Sequence, residues 1–195
     1  MSQAFPSPIA HTTVVLHAIS RELVAVAGVA LSLAAASRIV LPLGFTPVPV
    51  TAQTFVVLIV GILAGARRSG FGSLLYLVLG VAGVPWFATG GATLGYLAAF
   101  GAAAVLVGRA AGRGRLDTRR SALIVMTGAH ALIYVLGAAW LGAFLGIGPA
   151  AALKLGVAPF LLGDAVKVIV ASAIAPHLVA TVRSGSWTAE PRGSH

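Results

Sequence analysis

The sequence contains no cysteine, which removes disulfides, thiolate metal sites and thiol nucleophiles together. Acidic residues are almost as scarce, with four Asp and Glu in 195 residues. All charged residues make up 9% of the chain, against about 25% in soluble domains. So few ionic side chains cannot give a set of apolar helices a wet face. Also missing are a phosphate-cradling Gly-x-x-x-x-Gly-Lys-Ser/Thr loop, a His-Glu-x-x-His pair, a Cys/His ligand set and a Gly-x-Ser-x-Gly nucleophile turn. The chain is therefore not read as an enzyme, and no metal or cofactor is expected. Any uptake it performs must run on a gradient or on energy borrowed from another subunit.

What is present is apolar. Hydrophobic residues make up 58% of the chain and its mean hydropathy is +1.00, which calls for burial in lipid. The 24 glycines suit helices that approach closely in a bilayer. A net charge of +9 invites a nucleic-acid partner, but the arginines sit in short connections between apolar runs. That placement marks topology, with membrane lipid as the surroundings and no nucleic acid.

The expected fold class is an all-α integral membrane protein with six transmembrane helices, over residues 23–41, 51–65, 70–84, 94–108, 121–145 and 159–182. Six crossings put both termini on one side. Arg21, Arg67, Arg68, the arginines of 109–120 and Arg183 then share that side, which the positive-inside rule makes cytoplasmic. The chain divides into an N-terminal cytoplasmic segment (1–19), the six-helix domain (20–182) and a polar tail (183–195). No cleaved signal peptide is expected, because 1–19 lacks a basic start leading into a short apolar core. The ending Arg192-Gly193-Ser194-His195 is read as the start of an expression tag and left out of functional reasoning.

The strongest local signal is Asp164 and Lys167 inside the last apolar run. In a helix their i,i+3 spacing places both on one face, where they can pair or grip one ligand. An unpaired charge at that depth costs roughly 2.5–3.5 kcal/mol, so the pair is a functional candidate, with a structural ion pair or a snorkelling lysine as the rival reading. Around the outer mouth gather a Pro-rich segment (42–50) that cannot continue a helix, Gln53 in the first turn after it, and the aromatic, Gly-Gly loop after Pro85. Gln53 is equally suited to a ligand and to interfacial water. His130, mid-run, is read as hydrogen-bonded to a neighbouring helix, with a proton role in transport as the alternative. Ala30 and Ala34 form a small-xxx-small pair that suits an intramolecular contact as well as a partner.

Three motifs, Thr46-Pro47-Val48-Pro49-Val50-Thr51-Ala52-Gln53-Thr54, Tyr76-Leu77-Val78-Leu79-Gly80-Val81-Ala82-Gly83-Val84-Pro85-Trp86-Phe87, and Pro159-Phe160-Leu161-Leu162-Gly163-Asp164-Ala165-Val166-Lys167, recur in the order seen in a known family. Over roughly residues 20–182 the chain resembles the BioY family, the substrate-capturing S components of energy-coupling factor (ECF) biotin transporters. The resemblance implies a six-helix S-component fold that binds biotin from outside and docks on a transmembrane T subunit driven by two ABC-type ATPases. It implies biotin contacts for Gln53, for Trp86, Phe87, Thr89, Gly90 and Gly91 of the aromatic loop, and for Asp164 and Lys167. The resemblance also makes the Pro-rich segment 42–50 a gate over the site, and Phe45 within it and Tyr96 after the aromatic loop join the candidates. Lys167 is expected to meet the biotin carboxylate, with Asp164 accepting from the ureido nitrogens or neutralising the lysine in the empty site. Ala30 and Ala34 become candidates for docking on the T subunit. The chain departs from the family at Gly90-Gly91-Ala92-Thr93-Leu94-Gly95-Tyr96, where a longer Gly-Pro-Thr-Gly-Gly-Tyr element is usual. A solitary or homo-oligomeric facilitator or proton-coupled carrier, with Asp164 or His130 titrating, is the alternative.

Overall fold

A computed structural model of the chain describes residues 8–87 and 91–185. The sequence readings that concern 1–7, Thr89, Gly90 and the tail beyond 185 lie outside the described residues. Helices dominate: α1 (Pro8–Ala36), α2 (Gln53–Val81), α3 (Leu94–Gly112), α4 (Arg119–Leu145), α5 (Pro149–Gly156) and α6 (Leu161–Ser184). Five helical segments are long and apolar enough to cross a membrane: Ile19–Ala36, Gln53–Val81, Gly91–Gly112, Arg119–Leu145 and Pro149–Ser184.

The count of five against six turns on α2. At Gly65 the backbone leaves helical geometry (φ 74°, ψ 172°), a conformation that glycine adopts without a Cβ clash. Gln53 Nε2 donates to the Tyr76 hydroxyl at 2.8 Å, whereas in a straight helix those residues would stand about 35 Å apart at 1.5 Å per residue. So α2 is a hairpin of two arms, 53–64 and 66–81, folded at a glycine elbow. Serine helps the elbow, since Ser69 Oγ donates back to the Gly65 carbonyl at 2.7 Å. Gly108 of α3 lies against the elbow so closely that a methyl group there would strike the Ala66 backbone.

Two boundaries moved. Helix α1 starts well before residue 23, because nothing after Pro8 breaks a helix and proline is tolerated in a first turn. It also stops at Ala36 and not at 41. Val40 and Leu41 form a strand (Val40–Leu41, β1) paired antiparallel with Val50–Thr51 (β2), Val40 opposite Thr51 and Leu41 opposite Val50. Apolar content alone does not separate a helix end from a strand, and these residues are β-branched or followed by proline. The connection after α4 holds the short helix α5, which begins on Pro149 at its N-terminus.

The elements sort into two ends. One gathers the Gly65 elbow, the end of α3 and the start of α4, and is stitched by Arg68 with Glu22 and by Arg183 Nη1 with Asp117 at 3.0 Å. The other holds the β-ribbon, α5 and the start of α6. Between them runs an apolar core that includes Leu33, Val57, Leu58, Ala103, Met126 and Ile133, all fully buried.

Candidate functional site

Asp164 stands in the first turn of α6, where the 3-10 turn Ala158–Phe160 swings the chain inward, and it is 5% exposed. A carboxylate so buried needs donors, and its own helix and two others supply them. Oδ1 accepts from Lys167 Nζ at 2.7 Å and from Thr54 Oγ1 of α2 at 3.0 Å. Oδ2 accepts from the Tyr134 hydroxyl of α4 at 2.7 Å. His130 Nε2, one turn earlier on α4, lies 3.3 Å from the same oxygen but off the line of a hydrogen bond. The interhelical hydrogen bond expected of His130 is thus not made, and Asp164 is its neighbour by proximity alone.

Lys167 is equally committed. Its ammonium donates to the Thr51 carbonyl of β2 at 2.7 Å, to Thr54 Oγ1 at 3.0 Å and to Asp164, which uses all three protons. Thr54 is the hinge of this network, accepting from the lysine while donating to the carboxylate. Sequence reading missed Thr54 and Tyr134. A hydroxyl in an apolar helix looks the same whether it serves a neighbour or its own backbone, as Ser172 and Thr181 do.

The network forms one wall of a cavity of about 210 Å³. Leu97 and Phe100 of α3, Ile133 of α4, Phe160, and Val48 with Pro49 of the ribbon tip make the rest largely apolar. Ligand sites for drug-sized molecules run from about 300 to 1,000 Å³, so this cavity suits a small molecule with one concentrated polar end. The ribbon tip covers it. Thr46 Oγ1 donates to the Leu155 carbonyl of α5 at 2.8 Å, which ties the segment down while Val48 is buried beneath it.

Of the sequence-selected residues, the structure brings Asp164, Lys167, Gln53 and Tyr96 to this cavity. Gln53 is buried and its amide serves the fold: Nε2 donates to Tyr76 and to the Leu33 carbonyl at 3.3 Å, and Oε1 accepts from Thr51 Oγ1 at 3.3 Å. Tyr96 is held between helices, its hydroxyl donating to the Gly156 carbonyl at 2.8 Å and its ring against Gly137. Phe45 and Trp86 stand away from the cavity, 66% and 70% exposed, and the Arg38 guanidinium lies 5.9 Å from the Trp86 ring centre. Phe87 packs on Tyr76, and Gly91 offers its carbonyl to Trp140 Nε1. Ala30 and Ala34, expected on a docking face, are buried in the core against α2 and have no surface to offer a second chain. Between Leu23 and Ala36 the exposed small residues of α1 are Gly28, Ser32 and Ala35.

Residues 7–184 match the BioY family. The chain belongs to the BioY family. It is 36% identical over 140 residues to the probable biotin transporter BioY of Pyrococcus horikoshii, which covers 68% of this chain and 81% of that one. It is 35% identical over 145 residues to biotin transporter BioY2 of Lactococcus lactis subsp. cremoris, covering 70% and 78%. Its fold is similar to a crystal structure of the S component for biotin from an ECF-type ABC transporter, with a TM-score of 0.70, 22% identity, and coverage of 83% of this chain and 92% of that one. The chain is therefore a multi-pass membrane protein of a transporter family and not an enzyme.

Proposed function

We propose that this BioY chain captures biotin from outside the cell as the S component of an ECF-type transporter. The observation that carries the reading is the Asp164–Lys167 pair in the wall of an otherwise apolar, lidded cavity. Biotin has a ureido ring at one end and a carboxylate at the other, separated by its whole valerate chain. Because Asp164 and Lys167 touch each other, an extended biotin cannot offer both ends to the pair at once. A ureido group matches it best: the N–H donates to Asp164 and the carbonyl accepts from Lys167, replacing the hydrogen bond they make to each other. A carboxylate in that place would face Asp164 with like charge. This revises the expectation that Lys167 meets the carboxylate, and leaves that end of biotin toward the mouth.

The arms of α2 count as two crossings, which makes six transmembrane helices and sets both termini on the arginine-rich, cytoplasmic side. The ribbon tip 42–49 acts as the gate. Docking on the T subunit, itself driven by two ATPase subunits, uses the exposed Gly28, Ser32 and Ala35 face of α1. The solitary-carrier alternative draws on His130 beside Asp164. The two are separated by uptake of radiolabelled biotin into cells producing this chain alone or with its partner subunits, with and without a protonophore. Full-rate uptake that needs the partners and survives the protonophore supports the S component. Protonophore-sensitive uptake by the chain alone overturns it.

A further inference from the structure

The arginine-rich end carries a second and larger recess. An open groove of about 750 Å³ runs between the second arm of α2, α3 and α4, with Gly70, Gly101, Val105, Leu106 and Val125 along it. Its floor is narrow, since a methyl group on Gly70 would meet Val105 Cγ2 at 2.7 Å. At one end Arg109, Arg113 and Arg115 converge on the same recess. Arg109 and Arg113 lie four residues apart at the end of α3, so they share one face. Topology alone would scatter arginines over the connections; here three close one apolar slot.

Among the described residues the three also have no counter-charge. Glu22 is taken by Arg68, Asp117 by Arg183 and Asp164 by Lys167. Guanidinium groups converging without carboxylates favour an anion with several oxygens, and phosphate suits their planar donors. The apolar slot behind them fits a chain attached to that anion. We propose that this groove binds one anionic phospholipid, with its phosphate among Arg109, Arg113 and Arg115 and one acyl chain along Val105, Leu106 and Val125. The site lies at the opposite end of the bundle from the substrate cavity, and the proposal does not depend on what the cavity holds.

The test reconstitutes the full chain in nanodiscs of phosphatidylcholine with phosphatidylglycerol and measures the motionally restricted fraction of spin-labelled phosphatidylglycerol against spin-labelled phosphatidylcholine. Arg109→Gln/Arg113→Gln is compared with Arg119→Gln/Arg120→Gln, which removes the same charge outside the groove. One basic residue near an anionic surface is worth roughly a five-fold preference, so the groove variant, which lacks two, should lose roughly 25-fold of selectivity while the control keeps it. Leu106→Trp, which obstructs the slot but leaves the arginines, should lose it as well. Helical content and monodisperse elution establish that each variant is folded. Equal losses from both arginine pairs would reduce the effect to general surface charge and overturn the site. So would displacement of the labelled lipid by soluble glycerophosphate, which lacks the chain, or loss of T-subunit copurification in the groove variant with unchanged lipid selectivity.

Discussion

Replacing Lys167 by Met separates what the buried pair does for the fold from what it does for the ligand. The methionine keeps most of the side chain's length but removes the three hydrogen bonds that reach Thr51, Thr54 and Asp164. Breaking a buried pair by removing one partner costs about 3–5 kcal/mol, because the other charge stays behind. Thermal unfolding in detergent should show that loss. Asp164→Asn added to Lys167→Met removes the stranded charge while keeping an acceptor for Tyr134, so it should recover most of the stability. Binding should not recover. A hydrogen bond to a charged group is worth about 1.5–3 kcal/mol, which predicts a biotin affinity roughly 10- to 150-fold weaker once the ammonium is gone. A double variant that binds biotin as tightly as the wild type would refute the reasoning and reduce the pair to a structural tie.

Three further substitutions address the surroundings. Tyr134→Phe removes one donor to Asp164 Oδ2 without changing shape, and should weaken biotin binding by about tenfold while costing about 1–3 kcal/mol of stability in denaturant titration. Gly65→Ala forces an L side chain into φ 74° at the α2 elbow, so the melting temperature should fall by the equivalent of about 1–3 kcal/mol; an unchanged melt would mean the elbow is not held there. Thr46→Val cuts the tie to Leu155 and should speed biotin release, read by chase of radiolabelled ligand, more than it changes association.

Asp164 and Lys167 were legible in the sequence because charges are so rare in this chain that two within one apolar run demand a partner. The rest of their network was not, since Thr54 and Tyr134 come from helices distant in sequence and only the packing brings them together. The apolar character of the runs was legible, but the way the two arms of α2 join was not: the turn between them is made by one glycine dihedral, for which apolar patterning gives no signal. Ala30 and Ala34 show the ambiguity of small residues. The same spacing that lets a partner approach also lets α2 approach, and here α2 takes it. Trp86 and Phe45 were selected as aromatics at the mouth, yet nothing in their spacing could say which way they face. Val48 and Pro49, less conspicuous in the same segment, are the ones that line the cavity.

The central claim is that the Asp164–Lys167 pair recognises the ureido end of biotin. Isothermal titration of the purified chain, without partner subunits, can test it with three ligands: biotin, biotin amidated at its carboxylate, and biotin methylated on its ureido nitrogens. The account predicts saturable biotin binding, retained in large part by the amide and abolished by methylation. Binding of methylated biotin as tight as that of biotin, with the amide inert, would contradict it.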